Sequence, residues 1–133
     1  MDVDPPLRPL VWVGASYKEF RLFPREVIRL MGYWLYLAQI GKNPPGEQPL
    51  VRGVLQGLGI REIKDDFDRD TYRVVYTVKL ANAIYVLHAF KKKSKFGIST
   101  PHHEIELVRK RYLEAQKLDE AYESLSERDA DDE

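Results

Sequence analysis

The stretch that decides the fold runs from Ile60 to Lys93 and reads IREIKDDFDRDTYRVVYTVKLANAIYVLHAFKKK. Three runs in it are rich in β-branched and aromatic residues: Ile60 to Phe67, Thr71 to Leu80 and Ala83 to Phe90. Asp68, Arg69 and Asp70 separate the first two, and Ala81 and Asn82 the last two; both are turn-forming. The stretch therefore predicts an antiparallel meander of three strands.

Working outward, Leu10 to Val13 is a short apolar run ended by Gly14, the form of a further strand. Ser16 stands three residues before Glu19, a capping-box spacing that predicts a short helix to about Leu22. Pro24 suits the first turn of a second helix, because its missing N–H would have no partner there. Val27, Met31, Trp34, Leu35 and Ala38 then make one apolar stripe on a helix ending at Gly41. Residues 42–59, with three prolines and four glycines, read as an irregular connection. The last helix is expected to open with Thr100 as N-cap and Pro101 after it, burying Ile105, Val108, Tyr112 and Ala115.

The order β-α-α-β-β-β-α predicts an α+β domain. Its core would be a small, mostly antiparallel four-stranded sheet, with helices packed on one face and the other left open. Residues 1–9 are expected to be a flexible lead, 10–118 the folded domain, and 119–133 an acidic tail. The chain has 133 residues, 44% of them hydrophobic, enough for one core. No apolar run approaches a membrane span and no secretory signal is recognisable, so a cytoplasmic protein with no membrane association is expected. With no cysteine, disulfides, thiolate catalysis and cysteine-held metals are excluded. Three dispersed histidines do not form a zinc pattern, so neither metal nor cofactor is expected. The net charge of zero divides unevenly. Residues 119–133 carry eight acids and one base, −7, while the preceding 118 carry 20 bases and 13 acids, +7. A basic body suits a polyanionic partner; an acidic end is also the ordinary composition of a solubilising terminus.

Lys91, Lys92, Lys93 and Lys95 form a basic cluster between the last strand and the last helix. With Arg73 on the central strand, they can converge on phosphate, and an open sheet face beside them can accept a single nucleic-acid strand. Each residue also has a plainer reading. Arg73 can pair with Asp66, Asp68 or Glu62 across the hairpin, and a lysine run can simply blunt the end of a sheet. Lys91 is expected to point away from its neighbours. His88 alternates with Ile84, Val86 and Phe90, as either a satisfied half-buried residue or a site member. His102 and His103 lie in a first helical turn, where neutral imidazole is favoured and a general base is possible, although exposed histidines there are commonly idle.

Tyr72 to Tyr76, Ile84 to Phe90, Lys92, Lys93, Thr100, Pro101, Glu104 and Ile105 together resemble the RelE/HigB superfamily of type II toxin–antitoxin toxins, in its phage-derived HigB-like branch. The resemblance covers about residues 10 to 118. It implies a RelE-like fold and a metal-independent, ribosome-dependent endoribonuclease acting on mRNA. It also implies a helix-turn-helix antitoxin as cognate partner, in a heteromeric complex. Arg73 matches the family's strand arginine and Lys64 a basic position on the neighbouring strand. Taken with the readings of the individual residues, the candidate catalytic set is Arg73, Lys92, Lys93, His88 and His102, with Lys64, Lys91, Lys95 and Arg73 on the RNA; the family pattern does not call for His102 or His103. The family's members do not share one acid and one base, so phosphate binding carries over more firmly than proton transfer. Two other classes stand beside this reading: an RNA- or ribosome-binding module without turnover, and an interaction module whose groove a partner chain fills. The acidic tail could fold over the basic body and weaken RNA binding in cis, in which case truncation after Leu118 would strengthen it.

Overall fold

The computed structural model describes residues 6–93 and 100–131, without the side chains of 93 and 129–131. Its elements are β1 (Leu10–Trp12), α1 (Ser16–Arg21), α2 (Arg25–Gln39), β2 (Gln48–Pro49), a single 3-10 turn (Gly53–Leu55), β3 (Ile60–Phe67), β4 (Asp70–Thr77), β5 (Ile84–Lys93) and α3 (His102–Asp131). The α+β class holds, but the sheet has five strands in the order β1-β5-β4-β3-β2. The fifth is β2, two residues inside the segment expected to be irregular, paired with Arg61 and Glu62. The sheet is mixed, because β1 runs parallel to β5 while every other pair is antiparallel.

The meander forms as its composition requires. β3 and β4 are joined by a two-residue turn at Asp68 and Arg69, both with positive φ, the backbone twist that a tight hairpin demands. Helices cover both faces rather than one. Phe20 and Phe23, with Val27, Met31 and Leu35 of α2, pack on Tyr72, Val74, Tyr76, Ile84, Val86 and Ala89. On the other face Ile105, Val108, Tyr112 and Ala115 of α3 pack on Val75, Tyr85, Leu87 and Phe90. The physical reason lies in β4 and β5, which are buried at nearly every consecutive position, so both faces have apolar area to cover.

Two expected caps are spent elsewhere. Ser16 donates its hydroxyl to the Val86 carbonyl, and Glu19 reaches across to β5, so α1 has no side-chain cap. Thr100 turns its hydroxyl toward Glu62, and α3 begins at His102 with Pro101 supplying the first accepting carbonyl. The segment before β1 is tied down: the Arg8 guanidinium donates to the carbonyls of Val78 (3.2 Å), Leu80 (2.6 Å) and Ala83 (3.1 Å).

α3 continues unbroken from the body into the acidic segment. Asp119 is integral to the fold, accepting from the Ala81 and Asn82 amides (3.1 and 3.0 Å) and from the Tyr85 hydroxyl (2.8 Å). Burial would raise the Asp119 carboxyl, but these donors outweigh it and hold the group low. α3 therefore runs antiparallel to β5, from Glu104 beside His88 to Asp119 beside Ala81. Among the described residues no helix is long and apolar enough to cross a membrane.

Candidate nucleic-acid interface

Strand register sets the geometry of the site. Directly opposed residues of antiparallel strands share a face, so three rows lie side by side: Glu62, Val75 and His88; Lys64, Arg73 and Phe90; Asp66, Thr71 and Lys92. All three rows face α3. Arg73 and Lys92 thus lie on one side of the sheet, one residue pair apart. Lys91 alternates to the other side: it pairs with Tyr72, whose ring packs toward α2, and its Nζ lies 3.9 Å from Asp70. Lys91 is therefore separated from the other cations. Lys93 ends β5, but its side chain, like the whole of Lys95, lies outside the described residues.

A β-bulge decides where His88 goes. Val75 pairs with His88 and Tyr76 with Val86, so Leu87 is an extra residue and alternation restarts after it. Ile84 and Val86 pack toward α2, whereas His88 and Phe90 turn to the α3 face and stack at 4.9 Å. The expectation that His88 shares a face with Ile84 and Val86 fails because strict alternation cannot foresee the bulge.

Arg73 is only 2% exposed. Its Nη1 donates to Glu62 Oε1 at 2.6 Å and to Thr100 Oγ1 at 3.3 Å, while the Thr100 hydroxyl donates to Glu62 Oε2 at 2.7 Å. The cross-hairpin pairing with Glu62 is thus realised, yet it does not seal the residue away. Arg73, Glu62 and Thr100 line a cavity of about 350 Å³ with Gln48, Pro49 and Arg52. Exposed Arg52 donates to the Thr100 carbonyl and fixes the cavity's mouth. A buried ion pair opening onto a cavity with a second arginine at its rim can hold an anion, because the guanidinium forks present donors in a plane.

Beside this triad is a four-residue network, of which sequence reasoning singled out only His88 as a site candidate. Glu19 accepts from Arg111 through both oxygens (2.7 and 3.0 Å), and its Oε1 also lies 3.0 Å from His88 Nδ1. His88 Nε2 contacts Glu104, which His103 approaches at 3.0 Å. Burial alone would raise the Glu19 carboxyl, but hydrogen bonds from His88 and Arg111 overcome it and hold the group at about 2. The network closes the edge of β5 beyond β1: the Ala89 amide donates to Glu19 and the Leu87 carbonyl accepts from Arg111 (3.0 Å). Gly14, at φ +56, makes room for it, since a Cβ there would stand 3.1 Å from Arg111 Nε. The missed residues are Glu19, Arg52, Glu62, Thr100, Glu104 and Arg111. Only Glu62 had a sequence signal for this role, its place opposite Arg73 in the hairpin.

His102 is separate from both clusters, exposed and 3.0 Å from Glu106 one turn along. Lys64 is half-buried beside Arg73, and no side chain among the described residues engages it. Among those residues no group of three or more His, Asp and Glu side chains is arranged to hold a metal ion.

No curated protein matches this chain. The profile of the family described as "Phage derived protein Gp49-like (DUF891)" matches residues 18–113, which include Arg73, Glu62, Thr100 and every member of the Glu19 network. With close to three quarters of its length matched, and with both polar clusters inside the match, the chain belongs to the Gp49-like family of phage-derived proteins, a family associated with RelE/HigB-type toxins.

Proposed function

We propose that this protein is the toxin of a type II toxin–antitoxin pair, a cytoplasmic endoribonuclease that cuts mRNA on the ribosome and is held inactive by a helix-turn-helix antitoxin. The observation that carries the reading is the row Lys64–Arg73 with Lys92 one pair away, on the face where the Arg52–Arg73 cavity opens. In the proposed reaction the ribose 2′-oxygen attacks the adjacent phosphorus and loses its proton to Glu62. The P–O5′ bond breaks and the departing oxygen takes a proton from Lys92, leaving a 2′,3′-cyclic phosphate and a 5′-hydroxyl. Arg73, with Arg52 and Lys64, holds the charge that builds on the non-bridging oxygens. His88 acts as a positioning residue, through Glu104 and the start of α3; His102 has no part in this geometry.

The test is induction of the native chain, of Arg73→Lys and of Lys92→Ala in cells, with break sites in translated messages mapped by primer extension. Growth arrest and cleavage with the native chain alone support the proposal. Cleavage by Arg73→Lys at the native rate, in protein shown by circular dichroism to be folded, overturns the site; no cleavage by the native chain overturns the activity. The closure of Arg73 on Glu62 favours one second reading, a groove that binds RNA without turnover. In that case the native chain retards RNA in a gel and leaves it intact.

A further inference from the structure

A second cation-lined cavity lies on the opposite face of the sheet, where α2 ends. It measures about 340 Å³ and is bordered by Arg8, Lys42, Asn43, Glu47, Arg61 and Tyr76, at the lower end of the range of small-ligand sites. Three cations face one carboxylate, a net +2. That carboxylate is already committed: Glu47 Oε1 takes a bond from Arg61, and Oε2 accepts from the Tyr76 hydroxyl at 2.7 Å. Burial, followed by the hydrogen bond to Glu47, keeps that hydroxyl protonated and donating. Arg8 places three of its five N–H donors on neutral carbonyls, which hold the guanidinium in place without cancelling its charge. Lys42 and Asn43 are exposed, and no side-chain partner among the described residues engages either.

The backbone holds these two donors in place. Gly41 adopts φ +81, its amide donates to Ala38 and the Lys42 amide donates to Leu37 at 2.8 Å, the paired bonds of a Schellman ending. Lys42 is thereby delivered to the rim by the same turn that stops α2. A fixed positive wall, a satisfied acid and two free donors at the mouth suit an anion with several acceptor oxygens.

We propose that this cavity is a phosphate-binding subsite, distinct from the Arg73 cavity and separated from it by the edge strand β2. Glu47 lines one cavity, and Gln48 and Pro49 the other. The phosphate can belong to an RNA backbone passing over that edge or to a small phosphorylated molecule.

The experiment titrates isotope-labelled full-length protein with inorganic phosphate and, separately, with a twelve-nucleotide single-stranded RNA, following backbone amides by NMR. Native protein, Lys42→Ala/Asn43→Ala and Arg73→Lys are compared. Saturable phosphate-dependent shifts at Gly41, Lys42 and Asn43 are expected, weakened on the order of tenfold in the double variant and unchanged in Arg73→Lys, which separates this site from the proposed active site. If the source is RNA, the double variant also loosens the oligonucleotide and lowers its salt slope by about one unit. If it is a small molecule, phosphate binding falls while RNA affinity holds. Absence of phosphate shifts around Gly41, or equal binding by the native and double-variant proteins, overturns the proposal.

Discussion

The Arg73 and Arg111 clusters use the same chemistry to different ends. In each, an arginine is buried against a glutamate on the α3 side of the sheet, and Phe90, paired opposite Arg73, stacks on His88 of the other cluster. Arg73 and Glu62 come from adjacent strands, share Thr100 as a third partner and open onto a cavity. Arg111 and Glu19 come from opposite ends of the domain, and with His88 and Glu104 they tie α1, β5 and α3 together. A buried pair facing a cavity can exchange its carboxylate for a ligand's oxygens. A pair locked into a network across three elements has its oxygens committed to the fold. The difference teaches that a buried arginine is read by whether it faces a cavity or a closed network, and not by its carboxylate partner alone.

The largest effect should come from breaking the closed cluster. Arg111→Ala leaves Glu19 in a partly buried site without its guanidinium, and is expected to cost about 3–5 kcal/mol in urea unfolding. A loss below about 1 kcal/mol would mean that the cluster does not hold the elements together. Arg73→Lys should show the opposite profile: about 2 kcal/mol of stability, but on the order of 100-fold in RNA cleavage through loss of the planar fork. Parallel losses of stability and activity in both variants would erase the contrast between the clusters.

Acid provides a gentler probe. The Glu19 carboxyl sits at about 2 in the folded protein against 4.5 ordinarily, so the folded state binds fewer protons than the unfolded chain in that window. Its contribution is present above pH 4.5 and is lost as pH falls toward 2. Glu19→Gln should flatten that part of the stability profile while leaving RNA binding at pH 7 near native; an unchanged acid transition would show that another carboxylate dominates.

The smallest effect is expected from the acidic end of α3. Glu123 lies 19 residues beyond Glu104, roughly 30 Å along a helix rising 1.5 Å per residue, several Debye lengths at physiological salt. A chain ending at Glu120, which keeps Asp119 and its grip on the β4–β5 turn, should bind RNA within about twofold of the native protein. Tighter binding after truncation would revive masking in cis. The helix leads this segment away from the Lys92 end of β5, which removes the geometric ground for that idea.

Much of the fold was legible where its causes are local. β3 runs from Ile60 to Phe67 as its composition predicts, and α2 buries Val27, Met31, Leu35 and Ala38 on the expected stripe. The failures have a common cause. Ser16 and Glu19 have ideal capping spacing, yet the Val86 carbonyl and the β5 edge offered partners with more burial. The continuous apolar run Ile84 to Leu87 carried a sign that both faces are covered, which an assumption of strand alternation overlooks.

By itself the sequence determined the three helices and every strand but β2, the basic end of the last strand, and the placement of Arg73 on the central strand of the meander. These depend on periodicity and on turns between near neighbours. Only the tertiary structure decided that β1 pairs parallel with β5, that a bulge turns His88 toward α3, and that Glu19 meets Arg111 across 92 positions of chain. Such contacts form between segments with no local preference for each other. They follow from burying both sheet faces at once and satisfying the polar groups trapped at the edges.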